Sequence, residues 1–116
     1  MTDHQEQCKK RLQAIQDTSE AISGKWKIRI LACLSMGSQN FMELQRRIIG
    51  IRGKMLSQEL RDLETNGLII RTVCDTRPIT VNYQLTEYGY TLRGIIEEME
   101  RWGYQHRNKV AGRPLQ

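Results

Sequence analysis

Cysteine, histidine and long apolar runs are all scarce in this chain, and each shortage removes a class of protein. Three cysteines (Cys8, Cys33, Cys74) are an odd number without a CxxC pair. That argues against a disulfide scaffold and fits a reducing compartment. His4 and His106 lie near opposite ends and form no cluster with those thiols at zinc spacing, so neither a metal nor any other cofactor is expected. The longest apolar run, Ile30 to Leu34, is far too short to span a bilayer. The N-terminal stretch MTDHQEQCKK is polar and no apolar segment follows it. A secretory leader is therefore not expected, and the cytoplasm is the expected location. Nothing assembles a nucleophile, a base and an oxyanion site, and there is no Gly-rich phosphate loop, so catalysis is not expected.

What is present fits one compact domain of 116 residues, 39% hydrophobic and 27% charged. The formal net charge of +5 and a pI near 9.4 favour an anionic partner. Most of that excess is local. From Leu44 to Arg61, the cations Arg46, Arg47, Arg52, Lys54 and Arg61 face Glu59 alone, an excess of +4 in 18 residues.

The same region holds the clearest pattern. Gly50 to Gly67 reads as an amphipathic helix over 53–66. With Leu56 at zero on a 3.6-residue wheel, Leu60 and Leu63 fall within about 40° of it. Lys54, Gln58 and Arg61 take the opposite side, with Ser57 at its edge. Lys and Arg suit phosphates and guanine edges, and Gln suits adenine edges.

Around this helix the chain reads as helix, helix, helix–turn–helix, hairpin, helix. Residues 8–23 are helix-permissive, with Leu12 and Ile15 on an irregular apolar side, and Gly24 interrupts them. A second helix is expected over about 25–36, ended by Gly37. Asn40 with Glu43 signals a capping box for a third, closed by Gly50. Asn66-Gly67 then stops the amphipathic helix. LIIRTVC (68–74) and the alternating TVNYQL (80–85) read as strands joined by a wing tip at 75–79. Thr86 can cap a last helix over 87–107, whose Ile95, Ile96, Met99 and Trp102 keep helical spacing, and 108–116 read as a frayed tail. Trp26 is expected in the core, Tyr83, Tyr88 and Tyr90 at the base of the wing and the last helix, and Cys33 as a buried small hydrophobe. The fold class is thus mainly α with a small β-hairpin: a winged helix-turn-helix core at 24–86, flanked by N- and C-terminal helices.

Three segments together, GKWKIRILACL (24–34), FMELQRRIIGIRGKMLSQELRDLETNGLIIR (41–71) and VNYQLTEYG (81–89), resemble the HxlR family of bacterial winged-helix transcriptional regulators, relatives of the MarR group. The match covers about two-thirds of the chain in collinear order. It implies a homodimeric repressor binding double-stranded operator DNA, with helix 53–66 in the major groove and wing 75–79 in a minor groove. It further implies that the terminal helices carry the dimer interface. Two positions depart from the family pattern: Arg52-Gly53 stand where Ser-Pro often precedes the recognition helix, and Lys9 follows Cys8 where proline is usual.

The expected DNA contacts are therefore Gln58 and Arg61 at base edges, and Lys54 and Ser57 at phosphates or adjoining bases. Arg46, Arg47 and Arg52 are expected to position the backbone, and Arg77 to enter a narrow minor groove. Cys8, beside Lys9, Lys10 and Arg11, is the candidate sensor thiol, since neighbouring positive charge favours thiolate. Leu12, Ile15, Ile95, Ile96, Met99 and Trp102 are the candidate dimer surface. The effector is not legible. A winged-helix scaffold that binds an acidic protein surface in place of DNA is the alternative.

Overall fold

A computed structural model describes residues 2–112. Its elements in chain order are α1 (Asp3–Ala21), α2 (Lys27–Leu34), β1 (Gln39–Asn40), α3 (Phe41–Arg47), α4 (Gly53–Thr65), β2 (Ile69–Cys74), β3 (Thr80–Leu85), α5 (Glu87–Tyr90) and α6 (Arg93–Ala111). The expected mainly helical fold with a small wing is the fold observed, a winged helix-turn-helix.

The core forms where the leucine stripe of α4 meets α2, α3 and the sheet. Ile30, Leu31, Leu34, Leu44, Leu56 and Leu63 are fully buried there, with Leu60, Ile69, Tyr83 and Leu85 nearly so. Burying each such side chain is worth about 1.5–3 kcal/mol, so this small cluster supplies most of what holds the domain. Trp26 is half-buried against the core, with the Lys25 ammonium 4.7 Å from its ring and the Arg29 guanidinium 5.4 Å away. The tryptophan thus packs against the core while two cations approach its ring.

The hairpin keeps the alternation read from its sequence. Ile69 pairs with Leu85, Arg71 with Tyr83 and Val73 with Val81, and the inward side of β3 is Val81, Tyr83 and Leu85. The sheet has a third strand that the sequence reading missed. β1, two residues long, pairs Gln39 with Tyr83 and Asn40 with Asn82, making β3 the central strand. Gln39 is buried there, and its amide donates to the Cys33 carbonyl at 2.6 Å, tying the end of α2 to the sheet. A two-residue strand has too little periodicity to show in a sequence.

The start of α3 is as expected: the Asn40 side chain accepts from the Glu43 N–H at 2.9 Å and Glu43 returns the bond at 3.0 Å. Gly67 ends α4 with φ +75°, a conformation that costs glycine nothing.

Both terminal helices differ from their expected bounds. α1 begins five residues earlier than read, because Thr2 and Gln5 form a reciprocal capping box. The final helix is broken into α5 and α6. Tight backbone bonds from Thr91 to Tyr88 and from Leu92 to Gly89 end the short helix before α6 starts. The supposed frayed tail is helical to Ala111, and residues 113–116 of that expectation lie outside the described residues. Tyr88 and Tyr90 are exposed, contrary to expectation. Gly89 between them is the residue turned inward, so close to Leu68 that a Cβ would come within 2.1 Å of its carbonyl oxygen, and its neighbours therefore project outward. Ile96 belongs to the domain's own core, whereas the other candidate interface residues do not.

The described residues have a radius of gyration of 17.8 Å. A compact chain of this length would have about 13 Å. The excess reflects terminal helices that extend away from the core. α1 buries no residue at all, and α6 buries only Ile96.

Candidate nucleic-acid interface

α4 presents its polar side because its apolar side is fully spent on the core. Leu56, Leu60 and Leu63 are buried, while Lys54, Gln58 and Arg61 are exposed and Ser57 is half-buried at the edge. The helix lacks a side-chain cap: Arg52 occupies the capping position in extended conformation but offers no acceptor. The departure from Ser-Pro seen in the sequence thus leaves the first-turn N–H groups without the bond that serine would give.

The remaining expected contacts lie on the segments before this helix and on the wing. Arg46 and Arg47 are exposed on the last turn of α3, where cations also complement the helix dipole. Arg52 is exposed on the connecting turn, and Arg77 on the loop between β2 and β3. That loop is ordered by Thr76, whose hydroxyl donates to the Pro78 carbonyl at 2.8 Å and meets the Thr80 hydroxyl at 3.2 Å. The cations from α3 through α4 are therefore contiguous along the chain, and the wing contributes one more from a separate element.

A residue that the sequence reading passed over fixes the orientation of α4. Lys27, at the start of α2, places its ammonium 2.6 Å from a Glu59 carboxylate oxygen and 3.4 Å from one of Asp62. Lys27 and Glu59 are only 13% and 14% exposed, so this pair is shielded from water and salt far better than an ordinary surface bridge. The hydrogen bond to Glu59 holds the Lys27 pKa above its usual value. The signal available beforehand was a lysine flanked by Trp26 and Ile28, one turn before a buried run. Because Lys27 occupies Glu59, the one anion in the basic segment is already neutralised from the inside.

The thiols are dispersed. Cys8 is exposed in the second turn of α1, beside His4, Gln7 and Arg11. It lies beyond the first turn of α1, away from the positive end of the helix dipole. Cys33 is half-buried, and burial raises its pKa. Cys74 accepts a hydrogen bond from the Asn82 amide at 3.3 Å within the wing.

A basic, solvent-facing helix set in a helix-turn-helix and followed by a wing is the geometry of DNA-reading proteins. The model of the HxlR-like helix-turn-helix matches residues 21–111. The chain belongs to this family. It is 43% identical over 99 residues to the uncharacterized HTH-type transcriptional regulator YtcD of Bacillus subtilis (strain 168), covering 85% of this chain and 79% of that one. The crystal structure of YtcD superposes with a TM-score of 0.76 at 44% identity, over 81% of this chain and 96% of that one. The redox regulator HypR in its reduced form superposes with a TM-score of 0.79 at 34% identity, over 85% and 98%. Like its relatives in the HxlR-like family, this protein is a DNA-binding transcriptional regulator. No helix among the described residues is long and apolar enough to cross a membrane.

Proposed function

We propose that the protein is a homodimeric cytoplasmic repressor that reads a pseudo-palindromic operator. α4 enters the major groove, with Gln58 and Arg61 at base edges and Lys54 and Ser57 at phosphates or adjoining bases. Arg46, Arg47 and Arg52 hold the backbone, and Arg77 of wing 75–79 enters the flanking minor groove. The observation that carries this reading is the division of α4: every leucine buried, every cation and amide of the opposite side open to solvent. A twofold dimer would place two such helices about 34 Å apart, one DNA turn.

The dimer surface is supported by apolar side chains that the protomer leaves in water. Leu12 and Ile15 on α1, and Ile95, Met99 and Trp102 on α6, are all exposed. Trp102 stacks on His106 with ring centroids 4.9 Å apart, which stiffens it as an anchor.

Duplex DNA selected from a random pool provides the test. Affinity for the recovered site should fall steeply with salt as phosphate counterions are released. Gln58→Ala with Arg61→Ala should abolish the preference for that site over scrambled DNA. Unaltered specificity in the double variant would defeat the major-groove assignment, and indifference to all DNA would favour a protein-binding scaffold.

Cys8 is the proposed redox-sensing thiol. Its exposure and its neighbours Lys9, Lys10 and Arg11 support this role, as does the similarity to HypR. A mild oxidant should change operator affinity in the wild type and leave Cys8→Ser unaffected; equal responses would remove Cys8 from regulation.

A further inference from the structure

The Gln58 amide is engaged by its own helix. Its amide nitrogen donates to Oδ1 of Asp62 at 3.1 Å, while Oδ2 of the same carboxylate faces the Lys27 ammonium at 3.4 Å. The two oxygens of Asp62 are thus divided between a lysine that comes from α2 and an amide on the proposed reading face. An ionised carboxylate only accepts, so the amide must offer N–H to it. Lys27 offsets a negative charge that would otherwise oppose nearby phosphates. We infer that Asp62 is a specificity-determining positioning residue that locks the orientation of the Gln58 amide. This inference rests on Gln58 being a base reader.

The consequence is a defined polarity. One amide hydrogen is held by Asp62, leaving the Gln58 Oε1 and the second N–H for a base. Adenine matches that pair, offering its N6 amino group to the oxygen and its N7 to the hydrogen. Asparagine at position 62 would reverse the arrangement. Its carbonyl would turn to Lys27, which can only donate, and its NH2 would face Gln58. The glutamine would then flip to present oxygen to it, exchanging the donor and acceptor seen by the DNA. Alanine would release Gln58 to adopt either orientation.

The experiment uses the full chain and duplexes recovered from a random pool, remade with each of the four base pairs at every position. The wild type should prefer adenine at one position per half-site by on the order of tenfold, the discrimination of a good bidentate contact. Asp62→Asn should lose that preference, and Asp62→Ala should reduce it to about twofold. Preferences elsewhere and the salt dependence should stay as they are, because Lys27 still has Glu59. A purely structural role for Asp62 would instead weaken binding to all sites alike. If Gln58→Ala changes the preference and neither Asp62 variant does, the inference about Asp62 is overturned alone. If Gln58→Ala changes no base preference, the base-reading role of Gln58 falls as well.

Discussion

The winged core and the terminal helices use the same apolar residues to opposite ends. In the core, Leu56, Leu60 and Leu63 of α4 meet Leu31, Leu44 and Ile69 with almost nothing left to solvent. α1 and α6 are each 19 residues long, yet between them they bury Ile96 alone. The comparison teaches that apolar periodicity on a helix states a need for a partner surface without stating whose. For α4 the protomer provides that surface. For α1 it does not, and local devices such as the Thr2–Gln5 box and the Gln13–Asp17 pair hold the helix in its place. Most helical stability in proteins comes from packing an amphipathic face, so α1 has most to gain from a second chain.

The sharpest way to break the comparison is to truncate one leucine in each region. Leu56→Ala should cost about 2–5 kcal/mol of folding stability, the range for a buried leucine. Leu12→Ala, at 60% exposure, should leave the stability of the isolated protomer within about 0.5 kcal/mol while weakening the proposed dimer. Urea denaturation at two protein concentrations separates these outcomes. Equal losses at both concentrations for Leu12→Ala would mean that α1 packs within its own chain.

Lys27 tests whether the core is fixed by packing alone. Lys27→Met should cost on the order of 1–3 kcal/mol, below the 3–5 of a fully buried pair because Asp62 is partly open to water. The pH dependence has a definite sign. Folding raises the Lys27 pKa above its unfolded value. The stability from the pair is therefore fully present below about pH 10.4, the ordinary lysine value. It is lost as pH rises through the folded pKa. Thermal unfolding of wild type and Lys27→Met from pH 8 to 11 should converge at the alkaline end.

The smallest effect concerns the uncapped start of α4. Arg52→Ser should supply the missing acceptor and raise stability by about 1 kcal/mol. It should also remove one proposed phosphate contact and lower the magnitude of the salt slope by about one. Stability and affinity would then move in opposite directions. Parallel movement would mean that Arg52 supports the turn itself.

Much of the core could be read in advance because its signals are local. Asn40 and Glu43 are three residues apart, Gly67 directly follows its helix, and the α4 leucines repeat at helical spacing. The residues missed depend on long separations. Lys27 meets Glu59 across 32 positions, and β1 exists only because β3 runs beside it. Tyr88 and Tyr90 were misplaced for the same reason, since Gly89 faces inward only because the Leu68 carbonyl is there.

The sequence by itself determined which face of α4 is apolar, where the helices and strands of the winged core begin and end to within a few residues, and that positive charge gathers around one helix. These follow from periodicity, capping chemistry and composition, which act over a few residues. Tertiary structure alone decided that Glu59 is neutralised from α2, that Asp62 bridges Lys27 to Gln58, and that Ile96 turns inward while Trp102 stays in water. Each of those depends on which distant surface comes within a few ångströms, and only the packed chain sets that distance.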